Sequence, residues 1–141
     1  GAAAADDPRP PPQAYHYAAM RGHLDIVKLL HSHGRDHRGH GGPQGVEPIH
    51  FASKAGHVDV VQFLVASGVP VDSPSAASGE SPLHFASAMG HVPLIQSLLR
   101  QRADVRGQDV RGLAPIHLAI RHGHAAALRR LLKRSRRAEW R

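Results

Sequence analysis

The stretch Ser81-Pro82-Leu83-His84-Phe85-Ala86, followed by Gly90-His91, decides the fold of this chain. Its histidine recurs along the 141 residues at spacings of 34, 34 and 33, at His16, His50, His84 and His117. An alanine follows each of these histidines by two positions. A Gly-His pair begins six positions after each one, at Gly22, Gly56, Gly90 and Gly123. Markers that keep phase over four periods of this length identify an internal repeat of the kind found in solenoid proteins.

Each period reads as two short helices joined by a turn. In the second period, Pro48 suits the first turn of a helix, where its missing N–H is not needed, and Gly56 suits the left-handed position that ends a helix. The apolar residues of 58–65 then predict a second helix that is buried on most of its circumference. Because helices of about ten residues are unstable alone, the units are expected to stack on one another.

The repeated stretches resemble a known family. Residues 81–86, with Gly90-His91 and Leu98-Leu99 after them, resemble the ankyrin repeat, whose signature is T-P-L-H-x-A over a period of about 33 residues. Residues 47–52 and 114–119 match the same signature, and 13–18 match it more weakly. The resemblance covers 13 to about 134 and implies an all-α solenoid of four stacked helix-turn-helix units with hairpin or turn loops.

The phase of the repeat also predicts the domain organisation. We expect a disordered Ala/Pro-rich arm followed by a single ankyrin-repeat domain that contains four repeats. The arm is placed at 1–12, the domain at 13–141, and the repeats at about 13–41, 42–75, 76–108 and 109–141.

Two of the residues that depart from the repeat pattern lead to predictions. Arg130 stands where the earlier repeats have Leu29, Phe63 and Ser97. We expect that position to face a following repeat, so a charged residue there predicts that the fourth repeat is the last. Arg102 replaces the loop glycine of the third repeat, which predicts a strained or differently closed turn.

The composition excludes several functional classes. The chain has no cysteine, which rules out disulfides, thiol catalysis and Cys metal ligands. It has no apolar run long enough to span a bilayer and begins with no basic and apolar leader, so we expect a cytoplasmic or nuclear protein, neither secreted nor transmembrane. No paired carboxylates, phosphate-binding glycine loop or metal-ligand set stands out, so we predict no enzyme activity, no cofactor and no small-molecule substrate.

Twelve of the 13 histidines fall into two groups, and the remaining one is His122. Eight belong to the repeat and are predicted to hydrogen-bond between the turns of adjacent repeats. The tract from 31 to 40 holds His31, His33, His37 and His40. Neutral imidazoles bind zinc, nickel or copper, but this spacing matches no standard zinc module. We therefore assign no metal site to the tract, and the sequence leaves open whether it binds a metal.

The resemblance implies a binding surface as well. Ankyrin-like stacks bind partners in a concave groove formed by their first helices and their hairpin tips. Carrying over the family's variable positions gives two sets of residues. On the first helices they are Met20, Arg21, Lys54, Ala55, Ala88, Met89, Arg121 and His122. On the hairpin tips they are Gln44, Val46, Ser78, Glu80, Arg111 and Leu113.

The charges in this set predict a mildly basic groove, since four cations stand against Glu80 alone. Arginine pairs with carboxylates through two hydrogen bonds. The expected partner is therefore another protein or a peptide with acidic residues and one or two aliphatic anchors, and the chain is expected to be monomeric on its own. The competing interpretation is that these are ordinary solvated helix residues.

The last part of the chain is strongly basic: residues 100–141 carry a net charge of +9, whereas 1–99 carry −2. One interpretation is a surface that docks on nucleic acid or anionic membrane, or a nuclear-localisation patch. The other is a solvated cap helix with Leu128, Leu131 and Leu132 packed inward, since basic residues near a helix C-terminus complement its dipole. The residues of the predicted basic patch are Arg129, Lys133, Arg134, Arg136 and Arg137.

Overall fold

The structure is a computed structural model that describes residues 12–33 and 46–139, with side chains for 13–33 and 46–136. Within these ranges the chain forms eight α-helices and no strand, which confirms the predicted all-α solenoid of helix-turn-helix units. None of these helices is both long and apolar enough to cross a membrane. The helices are α1 (Pro12–Arg21), α2 (Leu24–Ser32), α3 (Pro48–Ala55), α4 (Val58–Ala66), α5 (Pro82–Met89), α6 (Val92–Arg100), α7 (Pro115–Arg121) and α8 (Ala125–Glu139).

The predicted disordered arm lies almost entirely outside the described residues. Helix α1 begins at Pro12, which is the last residue of that predicted segment. The rest of the segment, 1–11, is not among the described residues.

The first helix of a repeat begins at a cap that includes the repeat histidine. In α5, the backbone N–H of Ser81 donates to Nδ1 of His84 at 3.1 Å, and the N–H of His84 donates back to Ser81 Oγ at 3.4 Å. In α7, the N–H of Ala114 donates in the same way to Nδ1 of His117, at 2.9 Å. These bonds occupy backbone groups that a helix start leaves without partners. The Pro-x-His part of the repeat is therefore a helix-starting element.

The helices form two layers. The first helices α1, α3, α5 and α7 contact one another in order along the chain, and so do the second helices α2, α4, α6 and α8. Burying one Val or Leu side chain contributes about 1.5–3 kcal/mol, so stacking stabilises helices that are too short to be stable alone. The fully buried apolar side chains of the two central second helices are Val60, Val61 and Leu64 in α4 and Leu94, Ile95 and Leu98 in α6.

In the first three repeats, the glycine that ends the first helix is covered by the following repeat. Gly90 has a φ of +72°, and a Cβ atom at this position would lie 2.6 Å from the ring of His124. Gly56 is covered in the same way by His91. Both the left-handed backbone and the close approach of the ring therefore require glycine.

Four of the eight repeat histidines, namely His16, His57, His84 and His91, bond across the interfaces as predicted. His57 donates from Nε2 to the carbonyl oxygen of Met20 at 2.9 Å. His84 donates from Nε2 to the carbonyl oxygen of Leu113 at 2.8 Å. Because Nδ1 of His84 accepts from a backbone N–H, its ring is the neutral tautomer with the proton on Nε2. The histidines thus tie each repeat to the next one.

Two predictions about the fourth repeat are wrong. The position of Arg130 faces the preceding repeat, because its counterpart Phe63 packs edge-on against His31, with ring centroids 5.6 Å apart, and lies beneath Lys28. Arg130 therefore does not mark the end of a stack. Leu132, predicted to pack inward, is 45% exposed, because it lies on the side of α8 that the next repeat covers in the earlier units.

The turn after α6 has the strained backbone that was predicted from Arg102 at a glycine position. Arg102 occupies the position of a loop glycine and has a φ of +67°. In the described ranges no other residue except glycine has a positive φ. A left-handed arginine costs about 1–2 kcal/mol, so this turn is a strained point of the stack.

Candidate functional site

The candidate binding surface lies along the row of first helices. The eight residues predicted there stand at, or just after, the C-terminal ends of α1, α3, α5 and α7. Seven of the eight are exposed, and Ala88 is half-buried. Met20 and Met89 are large apolar side chains with 38% and 46% of their surface exposed. Because the four helices stand side by side, the structure brings these residues into one row, which we call the groove row.

The backbone of the groove row is held by the repeat histidines. The carbonyl oxygens of Met20 and Lys54 accept hydrogen bonds from Nε2 of His57 and His91, at 2.9 and 2.8 Å. Each of these bonds reaches from one repeat to the one before it. In the first two repeats, the side chains of the groove row therefore project from a backbone that is already bonded to the following repeat before any partner binds.

A mainly apolar cavity opens at the first-repeat end of the groove row. It has a volume of about 210 Å³ and is lined by Gln13, His16, Tyr17, Met20 and Phe51. Sequence reasoning named only Met20 from this set. The missed signal is the aromatic residue directly after the repeat histidine, which is Tyr17 in the first repeat and Phe51 in the second.

The hairpin tips are described for the later repeats, whereas Gln44 lies outside the described residues. The tip before α5 closes through a hydrogen bond from Ser75 N to the carbonyl oxygen of Glu80, at 2.9 Å. The next tip joins it through a bond from Val110 N to the carbonyl oxygen of Ser78, also 2.9 Å. The side chains predicted here for binding, including the half-buried Ser78, therefore stand on connected loops.

Two further residues predicted for the tips act through their backbone. The carbonyl oxygens of Val46 and Leu113 accept hydrogen bonds from His16 and His84, at 3.1 and 2.8 Å. Both residues are half-buried. Their side chains therefore offer less surface to a partner than fully exposed side chains would.

The charge of Arg111 is already compensated. Its Nη2 lies 3.4 Å from Glu80 Oε1 and 3.4 Å from Asp109 Oδ2. Burial alone would raise the pKa of the Asp109 carboxyl, but the backbone N–H groups of Leu113 and Arg111 and the Arg111 guanidinium together lower it. Asp109 therefore remains ionised and keeps Arg111 paired.

The basic character of the groove row consequently rests on its first helices. Arg21, Lys54 and Arg121 have no carboxylate within salt-bridge distance among the residues that the structure describes. All three are exposed. They are available to the carboxylates of a partner.

The buried histidines have structural surroundings. Burial lowers the pKa of His50, although its bond to the Ser73 carbonyl oxygen, at 2.7 Å, acts in the opposite direction. Ser81 Oγ lies 2.8 Å from Nδ1 of His84, but both residues are buried and both form the cap of α5. This serine–histidine contact belongs to the helix start.

The predicted basic patch lies on α8. Arg129, Lys133 and Arg136 are exposed, and the side chain of Arg137 lies outside the described residues. Arg134 is half-buried, and its Nη2 donates to the carbonyl oxygen of Leu99 at 2.5 Å. The patch is therefore helical along its described length and partly tied to the preceding repeat.

A cleft that sequence reasoning missed separates α8 from α6. It has a volume of about 360 Å³ and is lined by Gln96, Leu99, Arg100, Arg130, Lys133 and Arg134. Arg100 and Lys133 occupy the same position of successive repeats, 16 residues after the repeat histidine. That shared position is the signal that could have predicted their proximity.

His37 and His40 of the histidine-rich tract lie outside the described residues. Of its other members, His31 is half-buried and packs edge-on against Phe63, and His33 follows α2. Across 12–33 and 46–139, no group of three or more His, Cys, Asp or Glu side chains is arranged to hold a metal ion.

Comparisons with known proteins agree with this architecture. A family model described as "Ankyrin repeats (many copies)" matches residues 49–99. A second, described as "Ankyrin repeat", matches 14–38 and 111–139. No curated protein matches the chain.

Proposed function

Because this chain belongs to the ankyrin-repeat family, whose repeats are generally protein–protein interaction modules, we propose that it is a non-catalytic adaptor. It holds an acidic or mixed acidic–aliphatic segment of a partner protein along its groove row. The observation that supports this proposal is one surface that combines exposed methionines, an apolar cavity and exposed cations.

The apolar anchor of the partner enters the cavity lined by Tyr17, Met20 and Phe51. The volume of about 210 Å³ is large enough for a leucine or isoleucine side chain but small for an extended apolar segment. Tyr17 is 62% exposed and Met20 is 38% exposed, so an anchor would cover apolar surface that now faces water. Each buried CH₂ group contributes about 0.8 kcal/mol to such a contact.

The acidic residues of the partner lie next to the anchor. Arg21 directly follows Met20 in the groove row, and Lys54 stands at the equivalent end of the next helix. A carboxylate pairs with an arginine through two parallel hydrogen bonds, which gives direction as well as affinity. Because the backbone of this row is already fixed by His57 and His91, binding requires little ordering of the protein.

A peptide-display experiment tests this function. A library of peptides that combine Asp or Glu with Leu or Ile is selected on the wild-type protein, and the best binder is titrated against purified variants. We expect Arg21→Glu with Arg121→Glu to weaken binding at least about tenfold, because both changes place like charges opposite the peptide. Tyr17→Ala removes a wall of the cavity and should weaken the binding of aliphatic peptides more than that of purely acidic ones.

The matched control is Arg129→Glu with Arg136→Glu, which changes the net charge equally on an exposed surface of α8. Circular dichroism establishes that each variant is folded. Equal losses in the two charge-reversal variants would show that the peptide responds to overall charge, and the groove proposal would then be wrong.

A further inference from the structure

The cleft between α6 and α8 concentrates positive charge in a concave space. Four of its six lining residues are cationic: Arg100, Arg130, Lys133 and Arg134. A second hollow of about 390 Å³ adjoins it, shares Arg130 and Lys133, and adds Arg129. The cleft lies between second helices, away from the groove row on the ends of the first helices.

The charges of this cleft have no counter-charge within the described part of the chain. No carboxylate there lies within salt-bridge distance of Arg100, Arg130, Lys133 or Arg134. Arg111 provides the contrast in the same molecule, because it is paired with both Glu80 and Asp109. Four unpaired cations around one cleft repel one another, so a bound anion would stabilise this region.

Uncharged groups hold two of the guanidinium groups in place. Arg134 donates from Nη2 to the carbonyl oxygen of Leu99, near the end of α6. With its amide oxygen turned toward α8, Gln96 accepts from Nε and Nη2 of Arg130, at 3.2 and 2.8 Å. These acceptors orient the arginines and leave their charge uncompensated. The cleft is therefore partly organised for an anion before the anion arrives.

We propose that the α6–α8 cleft binds a compact ligand that carries several phosphate groups, such as a polyphosphorylated inositol. Arginine binds phosphate oxygens through its planar fork, and lysine adds a point charge. The volume of about 360 Å³ lies within the range of small-molecule sites. One phosphate would meet Arg130 and Lys133, and a second would meet Arg100 and Arg134.

The concave shape favours a compact phosphate ligand over a nucleic acid strand. Strands without sequence preference bind along grooves whose cations follow the backbone and whose aromatic side chains stack on the bases. The described part of this cleft has no aromatic lining residue, and its cations converge on one space.

Calorimetric titration with inositol hexakisphosphate tests this site. Arg100→Gln with Lys133→Gln should weaken binding at least about tenfold, because it removes two of the four cations. Arg130 and Arg134 are left unchanged because both also bond to α6. The matched control, Lys28→Gln with Arg106→Gln, removes two exposed charges outside the cleft and outside the groove row, and it should bind within about twofold of wild type.

Three further ligands show whether the phosphate groups come from a lipid and whether the cleft prefers them over other anions. Vesicles of phosphatidylcholine with phosphatidylinositol bisphosphate test a lipid headgroup, vesicles with a charge-matched amount of phosphatidylserine test general membrane attraction, and duplex DNA tests general polyanion binding. Cleft-dependent binding of the soluble ligand or of the bisphosphate vesicles supports the site and names its source. An absence of binding to both overturns it, and so does equal binding of these phosphate ligands by the cleft and control variants. Binding of phosphatidylserine vesicles or DNA as tight as that of the phosphate ligands also overturns it, because it shows general attraction to anions. Peptide binding in the groove row is measured separately, so either proposal can fail alone.

Discussion

The interface between the third and fourth repeats and the outer face of the fourth repeat contain the same sequence markers in different surroundings. His84 is 1% exposed and bonds through both ring nitrogens, whereas His117 is exposed and keeps the bond at Nδ1. Gly90 and Gly123 share a φ of +72°, but only Gly90 has a histidine ring against it; no described atom lies within 4 Å of a Cβ placed at Gly123.

The difference shows that each marker has a local role and a stacking role. The local role, which starts or ends a helix, is present in all the first helices whose caps are described. The stacking role requires the next repeat. Substitutions at equivalent positions of the two surfaces therefore separate the two contributions to stability.

The largest difference is expected for the repeat histidines. His84→Ala leaves the buried Ser81 N–H without its partner and creates a cavity. It also removes one of the two hydrogen bonds to the Leu113 carbonyl oxygen, which still accepts from Asp109 N. The free energy of unfolding should therefore fall by about 4 kcal/mol. His117→Ala removes a single cap bond on an exposed surface and should cost about 1 kcal/mol or less. Urea unfolding followed by circular dichroism measures both. Equal losses would show that the stacking bond of His84 contributes nothing.

The glycine pair gives a smaller contrast. Gly123→Ala has to adopt a left-handed backbone, which costs about 1–2 kcal/mol. Gly90→Ala has the same backbone cost and also places its Cβ 2.6 Å from the His124 ring, so the total loss should be about 3 kcal/mol.

A double substitution sharpens this result. In a His124→Ala background the ring is absent, so Gly90→Ala should cost no more than Gly123→Ala does. If Gly90→Ala is as costly in that background as in the wild type, the ring contact is not the cause.

The fold could be predicted because its signals act within one repeat or between equivalent positions. The Pro-x-His motif, as at Pro82 and His84, starts the first helix of a repeat, and the glycine six positions after the histidine ends that helix. The constant spacing of these motifs implies that the repeats stack. The left-handed Arg102 could be predicted for the same reason, since the repeat pattern alone assigns glycine to its position.

Predictions about the direction of a side chain failed where they depended on the helix across the interface. The sequence gives no sign that Arg130 points back toward Gln96, because that depends on how α8 sits on α6. The pairing of Arg111 with Glu80 depends on the alignment of two hairpin tips. The candidate groove residues could thus be named from the sequence, and their role in binding stays a prediction. The charge balance of these residues and the α6–α8 cleft required the structure.

The smallest expected effect concerns a polar group in the interior. Ser87 is fully buried in α5, and its Oγ has no hydrogen-bond partner in the described part of the chain. Ser53, at the equivalent position of α3, is likewise fully buried and its Oγ also has no hydrogen-bond partner in the described residues. The first repeat has the buried Ala19 at this position, and the fourth has Ile120, which is 58% exposed. Position 87 therefore lies inside an interface that does not need a hydroxyl.

Ser87→Ala should raise the free energy of unfolding by about 0.5–1 kcal/mol, because it removes an unpaired buried hydroxyl and improves helix propensity. Ser135→Ala on α8 serves as the control, since it makes the same exchange at a half-buried helical position. The gain at position 87 beyond the gain at 135 measures the cost of the buried hydroxyl. A loss of stability on Ser87→Ala would contradict this interpretation. It would show that Ser87 Oγ has a hydrogen-bond partner in solution, such as a backbone carbonyl of its own helix.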